Sequence, residues 1–259
     1  MIHHPTAVIS PKARIEEDVA IGPYAVVEDN VIIRRGCKIG PHVHIAGYTE
    51  IGPGCSIFTG AVVGSIPQDL KYRGGKTYLR IGERTVIREF VTMNSGTSEG
   101  ESTVVGSHNL LMAYVHVAHN CIIGNNVIIA NAGTLAGHVV IEDFAIIGGL
   151  AGIHQFCRVG SHSIIGGCSK ITKDIVPFVM ADGHPASPSG INKVGLKRRN
   201  FPEDKIMLIE EAYKKLFRSG LNVADALAAL EKMEKSEEIL HIREFIKKSE
   251  RGIAKEKHA

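Results

Sequence analysis

An aliphatic residue at every sixth position constrains this chain more than any other feature. Ile9, Ile15, Ile21, Val27, Ile33, Ile39, Ile45, Ile51, Ile57 and Val63 are ten consecutive hits. Ile81, Ile87 and Met93 follow, and then twelve more run unbroken from Val105 through Val117, Ile129, Ile141 and Ile153 to Ile171. A helix repeats at 3.6 residues and a strand at 2, so neither requires a period of six. A short strand and a turn, repeated as one side of a flat-sided coil, does. The 25 hits imply about eight coils of three sides each. Ten of them are followed directly by Gly, which suits turns that need positive φ or a close approach of backbones.

Two residues before each aliphatic the chain usually places a small or β-branched residue, such as Val19, Ala25, Val43, Ala61 or Val139. Cys37, Cys55, Cys121 and Cys157 share this register and read as reduced, inward-facing packing residues, with no CxxC pair among the five cysteines. With 5% aromatics, no Trp and 44% hydrophobic residues, the core must be built of small aliphatics. The net charge of +3 is gathered at the C-terminus: residues 193–259 hold 16 basic and 12 acidic side chains, against 14 and 15 before them. Nucleic acid is therefore not the expected partner. The N-terminus MIHHPTAVIS has neither the basic nor the apolar region of a signal peptide, and no apolar run reaches membrane-spanning length, so a soluble, cytoplasmic protein is expected.

Two polar, Gly-rich segments near 65–80 and 95–103 interrupt the period and read as loops projecting from the prism, where function concentrates. From Asn192 the period changes to helical. Pro202–Arg218 carries Ile206, Ile209, Tyr213 and Phe217, Asn222 caps a second segment, and Ser236 caps a third that ends near Gly252. The expected division is thus a β-solenoid over 1–191 and a small α-helical domain over 192–259.

A solenoid has no cleft of its own, so chemistry must sit on a face or between copies packed side by side. The histidines mark such a face: YVHVAHN holds His116 and His119, LAGH holds His138, and GIHQF holds His154. With about 18 residues per coil, His119, His138 and His154 fall near one column, with rungs about 4.8 Å apart. Such a column can be surface polarity, a zinc site, or a general base among substrate-binding neighbours.

The strings QDLKY (68–72), NLLM (109–112), the HxxH run (116–119), TLAGHV (134–139), DFAIIGG (143–149), HQFC (154–157), GGCS (166–169) and GLKRR (195–199) together resemble the UDP-N-acetylglucosamine O-acyltransferases of lipid A biosynthesis, within the hexapeptide-repeat acyltransferases. The resemblance covers nearly the whole chain. It implies a left-handed parallel β-helix, a homotrimer with sites at subunit interfaces, no metal or other cofactor, and acyl carrier protein and a UDP-amino sugar as partners. The implied reaction moves a 3-hydroxyacyl chain from the carrier to the sugar's 3-position, with CoA as the minor donor option. His119 matches the general base and the Gly137 N–H the oxyanion donor. Gln68, Lys71, His116, His138, His154 and Gln155 match residues lining the sugar-nucleotide and acyl-donor sites, while Asn192, Arg198 and Arg199 match the end of the groove.

The chain departs from the family at residue 120, where Asn stands for the usual Asp that orients the base, and at residue 194, where Val stands for Glu. Because Asn cannot stabilise imidazolium by charge, N-acylation of a 3-amino analogue of the sugar is an alternative. A zinc-dependent enzyme like the γ-class carbonic anhydrases and a non-catalytic β-helix subunit complete the competing readings. Acyl length follows from Lys170, which lies three coils of 18 from His116. The roughly 14 Å between them accommodates about 11 or 12 carbons, so a donor nearer 12 than 14 carbons is expected, unless Gly167 sets the length instead.

Overall fold

The computed structural model describes residues 2–256, so the last three residues of the expected helical domain lie outside it. Residues 2–171 wind into a left-handed parallel β-helix. Its three faces are parallel sheets of short strands, and each strand pairs with the strand one coil away, as Val8 pairs with Val26 and Val26 with His44. The hexad aliphatics fill the interior: Ile33, Ile45, Ile51, Leu111, Ile129 and Leu135 are fully buried. So are Cys37, Cys55, Cys121 and Cys157, each in the inward register two residues earlier. Only the opening coil, with Ile9 and Ile15, is left half-covered, because nothing stacks below it. The register cannot slip by one residue without turning every aliphatic outward.

Nine of the ten glycines after the aliphatics serve close approach and not positive φ, Gly64 with a φ of 88° being the exception. A β-carbon on Gly52, Gly82 or Gly106 would sit within 2.8 Å of backbone in the next coil, and none of the three has a left-handed φ. The left-handed residue comes two positions later in each turn, and there the chain mostly uses side chains other than Gly: Tyr24, His42, His108, Asn126, His138, Phe156 and His162 all have φ between 54° and 67°. That conformation costs roughly 1–2 kcal/mol per residue, and ring stacking along the prism edges offsets much of it. Tyr24 stacks on His42 at 5.1 Å between centroids, Phe144 on His162 at 4.8 Å, and His138 on Phe156 at 4.8 Å.

The interruptions of the coil are shorter than the sequence suggests. Strands Val62–Ser65 and Tyr78–Ile81 continue into the first, leaving 66–77 as the excursion, and strands Thr92–Asn94 and Ser102–Val105 leave 95–101 as the second. At the far end the coil closes with an antiparallel hairpin, Val179–Gly183 with Ala186–Ile191.

Four helices follow among the described residues. Helix α1 (Lys193–Arg198), which helical spacing did not predict, is capped by Asn192, whose Oδ1 accepts from the Gly195 N–H at 3.0 Å. Helix α2 (Glu203–Phe217) starts after Pro202, and α3 (Val223–Glu231) and α4 (Glu237–Lys247) start at the caps Asn222 and Ser236. Leu196, Ile206, Ile209, Phe217, Ile239 and Ile242 make a second core against Val176 and Phe178 of the hairpin end. Polar contacts pin the helices to the prism: Arg158 donates to the Phe245 carbonyl at 3.1 Å, and Ser249 donates to buried Asp174 at 2.6 Å. The segment after α4 is not helical, and Ile253 instead forms a bridge to Asp174.

Candidate active site

His119 ends the strand-and-turn segment that begins with His116–Val117, at a prism edge, and its side chain is buried. Its surroundings come from four coils and from both excursions. Below the ring, Asn120 turns its side-chain oxygen toward Nδ1 at 3.0 Å. The orientation of that amide is settled by its other neighbours. The Thr97 N–H can only donate and lies 3.2 Å from Oδ1, while the Glu101 carboxylate can only accept from Nδ2, at 2.9 Å. Oδ1 therefore faces the imidazole as an acceptor, so Nδ1 carries the ring proton and Nε2 keeps its lone pair. Nε2 is the basic atom, and it faces the first excursion, where Asp69 Oδ2 lies 3.7 Å away.

One coil further along, Gly137 lies against the same ring. A β-carbon there would stand 2.5 Å from Nε2, so only glycine leaves room for the imidazole. No protein acceptor among the described residues takes the Gly137 N–H, whereas its carbonyl accepts from the Phe156 N–H at 3.2 Å.

His138 meets His119 edge to face at 5.2 Å between centroids, and the next member of its stack is Phe156 and not His154. The three-histidine column expected from spacing is therefore a His119–His138–Phe156 column. His154 points outward from the strand side of the turn, its Nδ1 3.1 Å from the Gln155 carbonyl, and touches neither partner. Gln155 is half-buried in the register of Gly137. His116, on the strand before the turn, bonds through Nδ1 to Thr92 Oγ1 at 2.7 Å. Burial, and then the charge His119 can carry, hold both His116 and His138 below the usual imidazole pKa, so both are neutral beside the base. Gln68 and Lys71 are exposed on the 66–77 excursion, and the Lys71 N–H closes an Asx turn onto Asp69 Oδ1 at 2.8 Å. Among the described residues of one chain, no three His, Cys, Asp or Glu side chains converge as metal ligands.

The remaining expected residues lie elsewhere. Lys170 shares a register line with His116 through Thr134 and Gly152, three rungs away, and both Gly152 and Lys170 are exposed. Gly167 lies at the opposite edge of that face, beside the Gly149 carbonyl. Asn192 is buried with its whole amide engaged, Nδ2 donating to the His162 carbonyl at 2.8 Å while Oδ1 caps α1. It places Arg198, which is exposed, and Arg199, which lies over the Phe144 ring at 4.9 Å and whose pKa burial lowers. These arginines sit on the Phe144–His162–Phe178 edge of the prism, a different edge from that of His119, so one chain does not bring the two groups together.

Sequence reasoning did not single out Asp69, Glu101 or Thr92. Asp69 was within reach, since it stands inside the QDLKY string between Gln68 and Lys71. Glu101 carried no signal, because its segment has no period and reads as solvent loop.

A hexapeptide β-helix that presents a histidine locked in one tautomer at its edge defines a hexapeptide-repeat transferase, and residues 12–47 and 102–136 match the bacterial transferase hexapeptide family. Residues 174–254 match the second domain of UDP N-acetylglucosamine O-acyltransferase. The chain is 49% identical to an acyl-[acyl-carrier-protein]–UDP-N-acetylglucosamine O-acyltransferase from Thermodesulfovibrio yellowstonii, over 97% of its own length and 98% of the relative's. It superimposes on a UDP-N-acetylglucosamine acyltransferase of Bacteroides fragilis with a TM-score of 0.95 at 46% identity, covering 98% of this chain and 99% of that one. The O-acyltransferase of Moraxella catarrhalis gives 0.94 at 41% identity, covering 98% and 100%. The chain belongs to the UDP-N-acetylglucosamine O-acyltransferase family. No helix among the described residues is long and apolar enough to cross a membrane.

Proposed function

We propose that this protein transfers an (R)-3-hydroxyacyl chain from acyl carrier protein to the 3-hydroxyl of UDP-N-acetylglucosamine, with His119 as general base, in the cytoplasm. The observation that carries the reading is the fixed tautomer of His119, which directs a basic Nε2 into the space between Asp69 and Gly137. Nε2 takes the proton of the sugar 3-hydroxyl as that oxygen attacks the thioester carbonyl carbon. The negative charge moves to the carbonyl oxygen, where the Gly137 N–H, which no acceptor among the described residues takes, is placed to receive it. The carbon–sulfur bond then breaks, and the departing thiolate recovers the proton from the imidazolium. The strip that runs from half-buried His116 over exposed Thr134 and Gly152 to Lys170 supports a bed for the acyl chain, with Lys170 at its end and a 12-carbon donor favoured.

The working unit is a homotrimer with shared sites. Leu70, at the tip of the excursion that carries Asp69, is 96% exposed, and burying such a side chain against another copy is worth roughly 1.5–3 kcal/mol. The placement of Arg198 and Arg199 on a second prism edge supports the same arrangement, because packing prisms side by side brings the edge of one copy to that of the next. The basic stretch Lys197–Arg199 suits an acidic carrier protein at the mouth of that groove.

The test is acyl transfer measured with the 3-hydroxyl and the 3-amino sugar nucleotides, using wild type and His119→Ala. Turnover with the hydroxyl sugar that falls on the order of 10² to 10⁴ in the variant, with folding retained, supports the reading. Near-full activity of the variant overturns it, and activity with the amino sugar alone replaces the acceptor. Chelators leave the activity intact on this mechanism.

A further inference from the structure

Asn120 directly follows the base, yet a carboxylate stands behind His119, one hydrogen bond further out. Glu101, from the second excursion, accepts from Asn120 Nδ2 at 2.9 Å, and Asn120 Oδ1 accepts from His119 Nδ1 at 3.0 Å. The same Glu101 oxygen takes the Ser98 N–H and the Thr97 hydroxyl, each at 3.0 Å, and the Asn120 backbone N–H is tied to Thr103 Oγ1 at 2.8 Å. Both ends of the relay are therefore held, one by the turn of the coil and the other by the 95–101 loop.

We infer that Glu101 is a positioning residue for the base, acting through the Asn120 amide to fix the His119 tautomer and to offset the positive charge that forms on its ring. This rests on the reading of His119 as general base. An asparagine alone would not do either job. Its amide can present Nδ2 or Oδ1 to the imidazole, and the wrong face would oblige Nδ1 to accept, which puts the proton on Nε2 and removes the base. Beside the Thr97 N–H on Oδ1, an acceptor fixed on the far side makes the wrong face costly, since it would set the amide oxygen against a carboxylate. Glu101 is ionised in this role: the Asn120 amide first, and then the Ser98 and Thr97 donors, hold its carboxyl below the usual carboxylate range. Its charge polarises the amide, so that Oδ1 becomes a better acceptor as the imidazolium develops. Asp69 also faces His119, on the Nε2 side, but stands on the substrate side of the ring and cannot set the Nδ1 partner.

The decisive experiment is a cycle of Glu101→Ala, Asn120→Asp and the double variant, read by kcat and KM for the sugar nucleotide. Glu101→Ala should lose about 10- to 100-fold in kcat with KM within about twofold, because the loss falls on the transition state. Asn120→Asp alone should also lose activity, since it sets two carboxylates against each other. Combined with Glu101→Ala it should recover to within about threefold of wild type, having returned a carboxylate to the ring directly. Glu101→Gln, which keeps an acceptor for the loop donors and lacks the charge, should fall between wild type and Glu101→Ala, and it serves if the alanine variant does not fold. Unchanged kcat in both Glu101 variants overturns the inference. So does a Glu101→Ala loss that Asn120→Asp leaves unrescued, which would make Glu101 a loop residue only. Either result in an enzyme that His119→Ala inactivates leaves the base itself standing, whereas an active His119→Ala removes both.

Discussion

Gly137 lies flat against the imidazole of His119, one coil apart, with no room between them for a methyl group. The backbone at Gly137 is not in the left-handed region, so alanine is conformationally acceptable there and only the ring contact forbids it. Gly137→Ala should therefore fold, with a melting temperature close to wild type, and lose turnover on the order of 10²-fold by displacing Nε2. Steady-state kinetics beside a thermal melt checks this, and a fully active alanine variant would remove Gly137 from the site.

A shared site predicts complementation between inactive subunits. His119→Ala and Arg199→Ala chains are each expected to be poorly active alone. Co-refolded in equal amounts as trimers, they should regain activity, since about a quarter of the interfaces then pair an intact His119 with an intact Arg199. No recovery would remove Arg199 from the site that His119 serves.

Acyl selection is expected to follow Lys170. With Gly152 leaving open space between it and Thr134, the cationic head of Lys170 stands where an elongating chain would next need an apolar surface, worth about 0.8 kcal/mol per methylene. Lys170→Gly should move the optimum from 12 toward 14 carbons. An unchanged optimum would pass the ruler to Gly167.

The edge stack of Phe144, His162 and Phe178 carries an acid-stability prediction. His162 is pushed down to about 4, first by burial and then by the charge of Arg199, and its Nδ1 has no partner among the described residues. In the unfolded chain it takes a proton near pH 6.5, whereas in the folded one it resists until about 4. The unfolded state thus binds more protons across that window, and stability falls as pH drops from 6.5 to 4. His162→Phe keeps the stack and removes the titration, so its melting temperature should decline less over the same range than that of wild type. Parallel melts at pH 7, 5.5 and 4.5 decide it.

The period and the caps determine much of this protein without any tertiary information. Inward aliphatics at every sixth residue admit only one register, and because a coil takes 18 residues, His116 and Lys170 had to share a line three rungs apart, as they do. Asn222 and Ser236 declare their helices by local hydrogen bonds that a reader of sequence can anticipate. The same 18-residue coil counted from His138 leads to Phe156 and not His154, but it does not show that His119, one residue before the left-handed Asn120, meets that stack edge to face. The excursions were beyond it altogether. Asp69 and Glu101 belong to segments with no repeat to set their direction, and they come to the base only because the coil winds both loops past the same edge, where the Lys71 N–H holds Asp69 and the Thr97, Ser98 and Asn120 donors hold Glu101. Local periodicity specifies a scaffold because every residue in it answers to its own neighbours. Asp69 meets the ring of His119 and Glu101 the amide of Asn120 from other coils of the chain, and only the winding brings them together.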